Sequence, residues 1–161
     1  MNKAHFLSIL KLLRSDLRQV IDSGSSLGVQ LPQSPIIWAA GIRRRFVDLF
    51  EELNIESKWE LPNEWLNLPT NLQCLTLSRV AEEALTNVIK HSQASAVKVI
   101  LKQTECNLIL EICDNGIGFN PETVDRGLHV GLQSMQARVQ RINGHFEVES
   151  KPNWTVIRVT L

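Results

Sequence analysis

Apolar positions recur along this chain with two different periods, and the switches between them mark its elements. Phe6, Leu10, Leu13, Leu17 and Ile21 fall three and four residues apart on one stripe. A helix is therefore expected over residues 3–21, with Arg14, Asp16, Arg18 and Gln19 off the stripe. Gly24, Gly28, Pro32 and Pro35 then punctuate a linker. Ser34-Pro35 has the order of an N-cap followed by proline at the first helical position. Trp38, Ile42, Phe46, Leu49 and Leu53 continue at helical spacing, with Asn54 placed to end the helix. Residues 55–61 alternate, which predicts a half-buried strand, and Pro62 to Pro69 reads as loop.

The longest helical signal runs from Asn71 to His91, with Leu77, Ala81, Ala84, Leu85 and Val88 as its buried face. Ala96 to Gln103 and Leu108 to Cys113 alternate and predict an antiparallel hairpin. Asp114 to Val130 is polar, carries three of the eight glycines and has no period, so a long loop is expected there. Gly131 to Ile142 returns to helix, and Phe146 to Ser150 with Thr155 to Leu161 forms a second hairpin. Hairpins joined through helices predict an α/β fold, a two-layer sandwich of a mixed sheet with helices on one face.

Composition narrows the function classes. Of 161 residues, 43% are apolar and 21% charged, with a formal net charge of zero, which fits a globular domain and argues against disorder. Neutrality leaves no electrostatic case for nucleic acid or an anionic membrane. Arg43-Arg44-Arg45 is the local exception and reads as a solvated helix face. Cys74, Cys106 and Cys113 show no CxxC spacing and read as small buried hydrophobes in a reducing compartment, Cys106 and Cys113 on neighbouring strands. The sequence has no long apolar span and does not open as a signal peptide, so a soluble, cytoplasmic domain is expected. Whether a parent protein is anchored in the inner membrane is not written in these residues.

Three stretches carry candidate chemistry. Glu83, Asn87 and Lys90 lie four and three apart on one helix face, with Leu85 and Val88 pointing elsewhere. A carboxylate, an amide and an ammonium in one row suit a magnesium-phosphate group: the amide oxygen ligates Mg²⁺, the ammonium meets phosphate, and the carboxylate acts as base. A mixed polar helix face is the plainer alternative. The apolar strand before Asp114 ends in Asp114-Asn115-Gly116-Ile117-Gly118-Phe119. That is an acceptor suited to the exocyclic amine of adenine beside a permissive backbone, or else a tight turn. Gly127-Leu128-His129-Val130-Gly131-Leu132 opens a helix, where free N–H groups attract anions, or where glycine simply punctuates.

In order and spacing, these stretches resemble the ATP-binding catalytic domain of two-component sensor histidine kinases, in the Bergerat ATPase superfamily. Residues 79–91 resemble its N box, Asp114 to Phe119 its first glycine box, and Gly127 to Leu132 its second. Lys90-His91-Ser92-Gln93-Ala94-Ser95 and the Met135–Arg138 helix are similar to the branch of nitrate-sensor and lipid-fluidity-sensor kinases. The resemblance spans Leu53 to Leu161 and implies ATP and Mg²⁺ as cofactors. It also implies transfer of the γ-phosphoryl group to a histidine for relay to a response regulator.

The roles it implies are specific. Glu83 positions or deprotonates the attacking group, Asn87 holds Mg²⁺, and Lys90 and His91 approach phosphate or ribose. Asp114 binds the adenine amine, Gly116 and Gly118 hinge a lid, and Gly127 and Gly131 bracket the phosphates. His129, Leu132 and Thr155 complete the ATP-binding set. Under the same resemblance, residues 1–24 match the second helix of a dimerisation and phosphotransfer hairpin, 25–35 a linker and 36–161 the catalytic domain.

Two departures stand out. Lys151-Pro152-Asn153-Trp154-Thr155 lacks the glycines of the third glycine box, and Trp154 stands where small residues let the lid base approach. That opens an alternative reading, a nucleotide-poor docking or signalling module of the same fold. A serine kinase of the anti-sigma type is a more distant alternative. The second departure is that no His-Asp or His-Glu phosphoacceptor motif stands near the N-terminus. His5 reads as a surface residue, so the partner hairpin is expected from the parent kinase. The stripe from Phe6 to Ile21, lacking that hairpin partner, is expected to pair with its copy in a second chain. Light scattering at rising concentration should show dimer, and Leu10→Glu with Leu17→Glu should return it to monomer.

Overall fold

The computed structural model describes residues 31–161, and the expected first helix, with His5 and most of the linker, lies outside them. Helix α1 spans Pro35–Glu52, strand β1 Glu56–Glu60 and helix α2 Asn71–Asn87, which runs on into a π-helical turn over Val88–Ser92. Strands β2 (Ala96–Gln103) and β3 (Leu108–Asp114), helix α3 (Arg126–Gln140), and strands β4 (His145–Lys151) and β5 (Trp154–Thr160) follow. The sheet order is β1-β2-β3-β5-β4. β1 runs parallel to β2 and every other pairing is antiparallel. The mixed sheet of the sequence reading is therefore present. Among the described residues no helix is long and apolar enough to cross a membrane.

Strand alternation divides the sheet into two unlike faces. Val97, Val99 and Leu101 of β2, Leu108, Leu110 and Ile112 of β3, and Ile157 and Val159 of β5 are buried on the face that meets the helices. Phe46, Phe50, Leu77, Leu85, Met135 and Val139 supply the helical side of that core. The other face is a charge ladder. Lys98 pairs with Glu60 at 2.8 Å, Lys102 with Glu111 at 3.5 Å, and Arg158 with Glu147 at 3.4 Å and Glu111 at 3.6 Å. Such exposed pairs contribute little energy each, but they keep one side of the sheet wetted while the other is covered.

Local signals set the helix ends. The Ser34 hydroxyl accepts from the Ile37 N–H at 3.2 Å, and Pro35 opens α1 as its position predicts. Asn54, at φ 56°, ends it, with the Ile55 N–H donating to the Phe50 carbonyl at 2.8 Å. Thr70 and Gln73 form a reciprocal capping box at the start of α2. Arg45, read as part of a solvated run, instead pairs with Glu82, which Arg79 meets at 3.3 Å, so it ties α1 to α2. Cys74 is buried, but Cys106 is exposed in the β2–β3 turn rather than buried on a strand.

The long loop is shorter than its composition predicts. Helix α3 starts at Arg126, not Gly131, because the Asp125 carboxylate accepts from the Leu128 N–H at 2.9 Å and caps it. Glycines at positions 127 and 131 disguise this first turn in the sequence, since glycine is a poor helix former. The irregular segment shrinks to residues 115–125.

Thr70→Ala removes one half of the capping box and should lower unfolding free energy by about 1 kcal/mol. Urea denaturation should show a lower midpoint with an unchanged slope.

Candidate functional site

A cleft lies between α2 with its π-helical turn, the start of α3, and the helix-covered face of β3 and β5. Its floor is apolar: Ala84 and Val88 from α2 and the turn, Ile112 from β3, Ile157 from β5, and Leu128 and Leu132 from α3. Polar groups converge on it from separate elements, namely Asn87, His91, Asp114, Asp125 and Thr155. An apolar floor with a few placed polar groups suits a heterocycle with a polar tail.

Asp114 ends β3 inside this cleft. One carboxylate oxygen accepts from the Gly116 N–H at 2.8 Å, and the other makes no hydrogen bond among the described residues. Burial pushes the carboxyl above its usual range, and the Gly116 N–H pulls the other way. Asn87 lines the same cleft. It is only 9% exposed, and its amide nitrogen is buried without a partner. A buried amide donor left unmade is costly and therefore needs an acceptor.

The loop after Asp114 is held from both sides. The Ile117 N–H donates to the Ser92 carbonyl at 2.7 Å, and the Asn115 side chain accepts from Ser95 N and Ala96 N, both at 2.9 Å. A Cβ on Gly116 would stand 2.3 Å from that same Ser92 oxygen, so the two backbones touch only because position 116 is bare. Gly118, at φ +71°, packs against the Lys151 carbonyl, which a Cβ would approach to 2.4 Å. The Phe119 N–H donates to Ser150 Oγ, which bonds Thr155 Oγ1 at 2.7 Å.

Trp154 does not stand at the lid base. Thr155 points into the cleft, so its neighbour Trp154 points to the opposite face, where Lys151 Nζ lies 4.8 Å from the ring centre. The close approach at the lid base comes from Gly118, not from small residues on the strand.

The structure brings Asn87, His91, Asp114, Gly118, Leu132 and Thr155 of the sequence-derived set together around the cleft. Glu83 and Gly131 do not line it but meet each other beside Asn87. Gly116 lies buried behind Asp114, while Lys90, Gly127 and His129 are exposed outside the lining. Gly127 sits within the first turn of α3, whose Leu128 N–H the Asp125 carboxylate already occupies, so this helix start is not the open anion site that its sequence suggested. Val88, expected to point away, is part of the floor.

Sequence reasoning missed Ser92 and Asp125. Ser92 joins the π-helical turn to the lid base, its hydroxyl donating to the Val88 carbonyl at 2.7 Å. Asp125 lies 3.6 Å from His91 Nδ1 across the cleft mouth. The Asp-x-x-Leu order at residues 125–128 is a capping signal that, in hindsight, marks it.

The family described as histidine kinase-, DNA gyrase B- and HSP90-like ATPases matches residues 74–161. This chain belongs to that family. Its most similar relatives include two sensor histidine kinases. The oxygen sensor histidine kinase NreB of Staphylococcus carnosus is 37% identical over 75 residues, 47% of this chain and 22% of that protein. The sensor histidine kinase LiaS of Bacillus subtilis is 33% identical over 114 residues, 68% of this chain and 31% of that protein. The chain thus spans under a third of the length of either. Among solved structures, histidine kinase AdeS of Acinetobacter baumannii superposes with a TM-score of 0.66 at 17% identity, covering 94% of this chain and 75% of that one. The catalytic domain of histidine kinase ThkA gives 0.66 at 15% identity, over 80% and 92%. The fold is that of the histidine kinase catalytic domain, an α/β sandwich.

The electrostatics of Asp114 give a test that needs no ligand. Its raised carboxyl pKa means the folded state holds this proton to higher pH than the unfolded chain, so stability falls as pH rises through the window between the two values. Asp114→Asn removes that dependence. Its melting temperature should match or exceed wild type at neutral pH, and the difference should shrink below about pH 4, the ordinary aspartate range.

Proposed function

We propose that this domain binds Mg-ATP in the cleft and transfers the γ-phosphoryl group to a histidine on the phosphoacceptor hairpin of its parent kinase. A response regulator then receives the group, and the domain works in the cytoplasm, where both ATP and regulator are found. The observation that carries this reading is the buried, unpartnered amide of Asn87 and the half-buried carboxylate of Asp114 lining one cleft with an apolar floor. An adenine on that floor would give its amine to the free Asp114 oxygen, with Thr155 beside it. The triphosphate would then run past Asn87, whose N–H would find its acceptor there.

The donor set also fits magnesium in a particular way. Among the described residues no group of three or more His, Cys, Asp or Glu could hold a metal. The ion would therefore arrive on phosphate oxygens, with the Asn87 oxygen as its protein ligand, as is usual for Mg²⁺. When bound it supplies neutralisation of the triphosphate charge. Glu83, half-buried next to Asn87, is the carboxylate available to orient or deprotonate the attacking imidazole. In the transfer the bond from the γ-phosphorus to its bridging oxygen breaks, a phosphorus–nitrogen bond forms, and ADP leaves. Such transfer depends chiefly on positioning and charge neutralisation.

The alternative of a nucleotide-poor docking module rested on Trp154, and that side chain lies on the far face of the sheet. His91 and the second anion-binding roles proposed for Lys90, Gly127 and His129 would require the start of α3 to rearrange around the phosphates.

Calorimetry with Mg-ATP separates the roles. Asp114→Asn should weaken binding by at least about tenfold, the loss expected for a hydrogen bond to a charged group. Glu83→Gln should bind like wild type yet phosphorylate a supplied phosphoacceptor hairpin ~10²–10⁴-fold more slowly. Mg²⁺ alone should give no binding heat. Equal nucleotide affinity in wild type and Asp114→Asn would refute the adenine assignment.

A further inference from the structure

We propose that Gly131 seats the Glu83 carboxylate, making it a positioning residue for phosphoryl transfer; this rests on the role proposed above for Glu83. Glycine six positions into a 15-residue helix calls for an explanation, because it weakens the helix relative to alanine. Backbone freedom is not the reason, since among the described glycines only Gly118 has positive φ. The missing side chain is what remains. A Cβ on Gly131 would stand 2.6 Å from Glu83 Oε1, 3.5 Å from its Cδ and 3.7 Å from Asn87 Nδ2. The carboxylate thus occupies the volume that a side chain on α3 would fill.

Among the described residues no other group holds Glu83. It makes no hydrogen bond or ion pair among the described residues, and Arg79, one turn before it, turns to Glu82 instead. A niche in α3 is therefore its constraint, and the niche puts the carboxylate beside the unpartnered Asn87 amide. The contact also gives the second glycine stretch a task different from bracketing phosphate. Its buried member faces the helix that carries the base.

An alanine Cβ here would meet the far end of a flexible side chain rather than backbone, so the carboxylate would swing away while the helices kept their spacing. Local helix propensity would rise at the same time. Stability and transfer should therefore move in opposite directions, which a purely structural glycine would not produce.

The test compares wild type, Gly131→Ala, Glu83→Gln and the double variant, using Mg-ATP and a phosphoacceptor hairpin supplied in trans. Gly131→Ala should melt at or above the wild-type temperature and keep its Mg-ATP affinity within about twofold. Its kcat for transfer should fall on the order of 10²-fold, the scale of a misplaced catalytic group, with KM for ATP unchanged. Added to Glu83→Gln, it should cause no further loss, because both changes act through one group. Wild-type transfer by Gly131→Ala alongside a defective Glu83→Gln would overturn the proposal, and so would a parallel loss of stability and nucleotide binding. Wild-type transfer by Glu83→Gln would remove the role of Glu83 itself, and the seat with it.

Discussion

The backbone contact between Ser92 and the Gly116-Ile117 step is the constraint from which the cleft follows. The two strands of chain meet there within a hydrogen bond, and no side chain can be inserted at position 116 without displacing a carbonyl. Because Ser92 ends the α2 extension and Gly116 follows β3, this contact sets the separation of Asn87 from Asp114. The π-helical turn makes it reachable. Widening the last turn, then leaving it through Gln93 at φ 52°, delivers the Ser92 carbonyl to the loop instead of to the next helical N–H.

The architecture was largely legible in the chain because its periods are clean. Val97-Lys98-Val99-Ile100-Leu101-Lys102 keeps its buried positions at every second residue, with Ile100 the one apolar residue out of phase, and Ser34-Pro35, Thr70 and Asn54 mark helix ends by side-chain chemistry that acts locally. Asp114 and Asn87 were legible because their surroundings carry ordered motifs, whereas Thr155 stands in a stretch that lacks the motif's glycines and was placed by position alone. The start of α3 was hidden because Gly127 and Gly131 mimic loop composition, while the Asp125 cap that overrides them is a single side chain. The direction of Trp154 was hidden for a different reason. It depends on the phase of β5, and a one-residue shift in phase exchanges the two faces of a strand.

The two faces of the sheet divide the labour. The covered face buries Val99, Leu110, Ile112 and Val159 and, at one end, leaves a gap where β3 and β5 present Asp114 and Thr155 beneath the helices. The open face satisfies itself with cross-strand charge, most densely around Arg158, which reaches Glu111, Glu147 and Glu149. Core packing and cleft are therefore built from the same strands and differ only in how far the helices extend over them.

The carboxylate that caps α3 makes the cleft its own competitor. Asp125 already satisfies the Leu128 N–H and lies beside His91, so it stands in for an anion at the cleft mouth. Any phosphate drawn to that helix start has to displace an internal occupant whose effective concentration is set by the chain itself. On the proposed nucleotide reading, the affinity attained there would measure an exchange between two anions, with the charge at position 125 setting its balance.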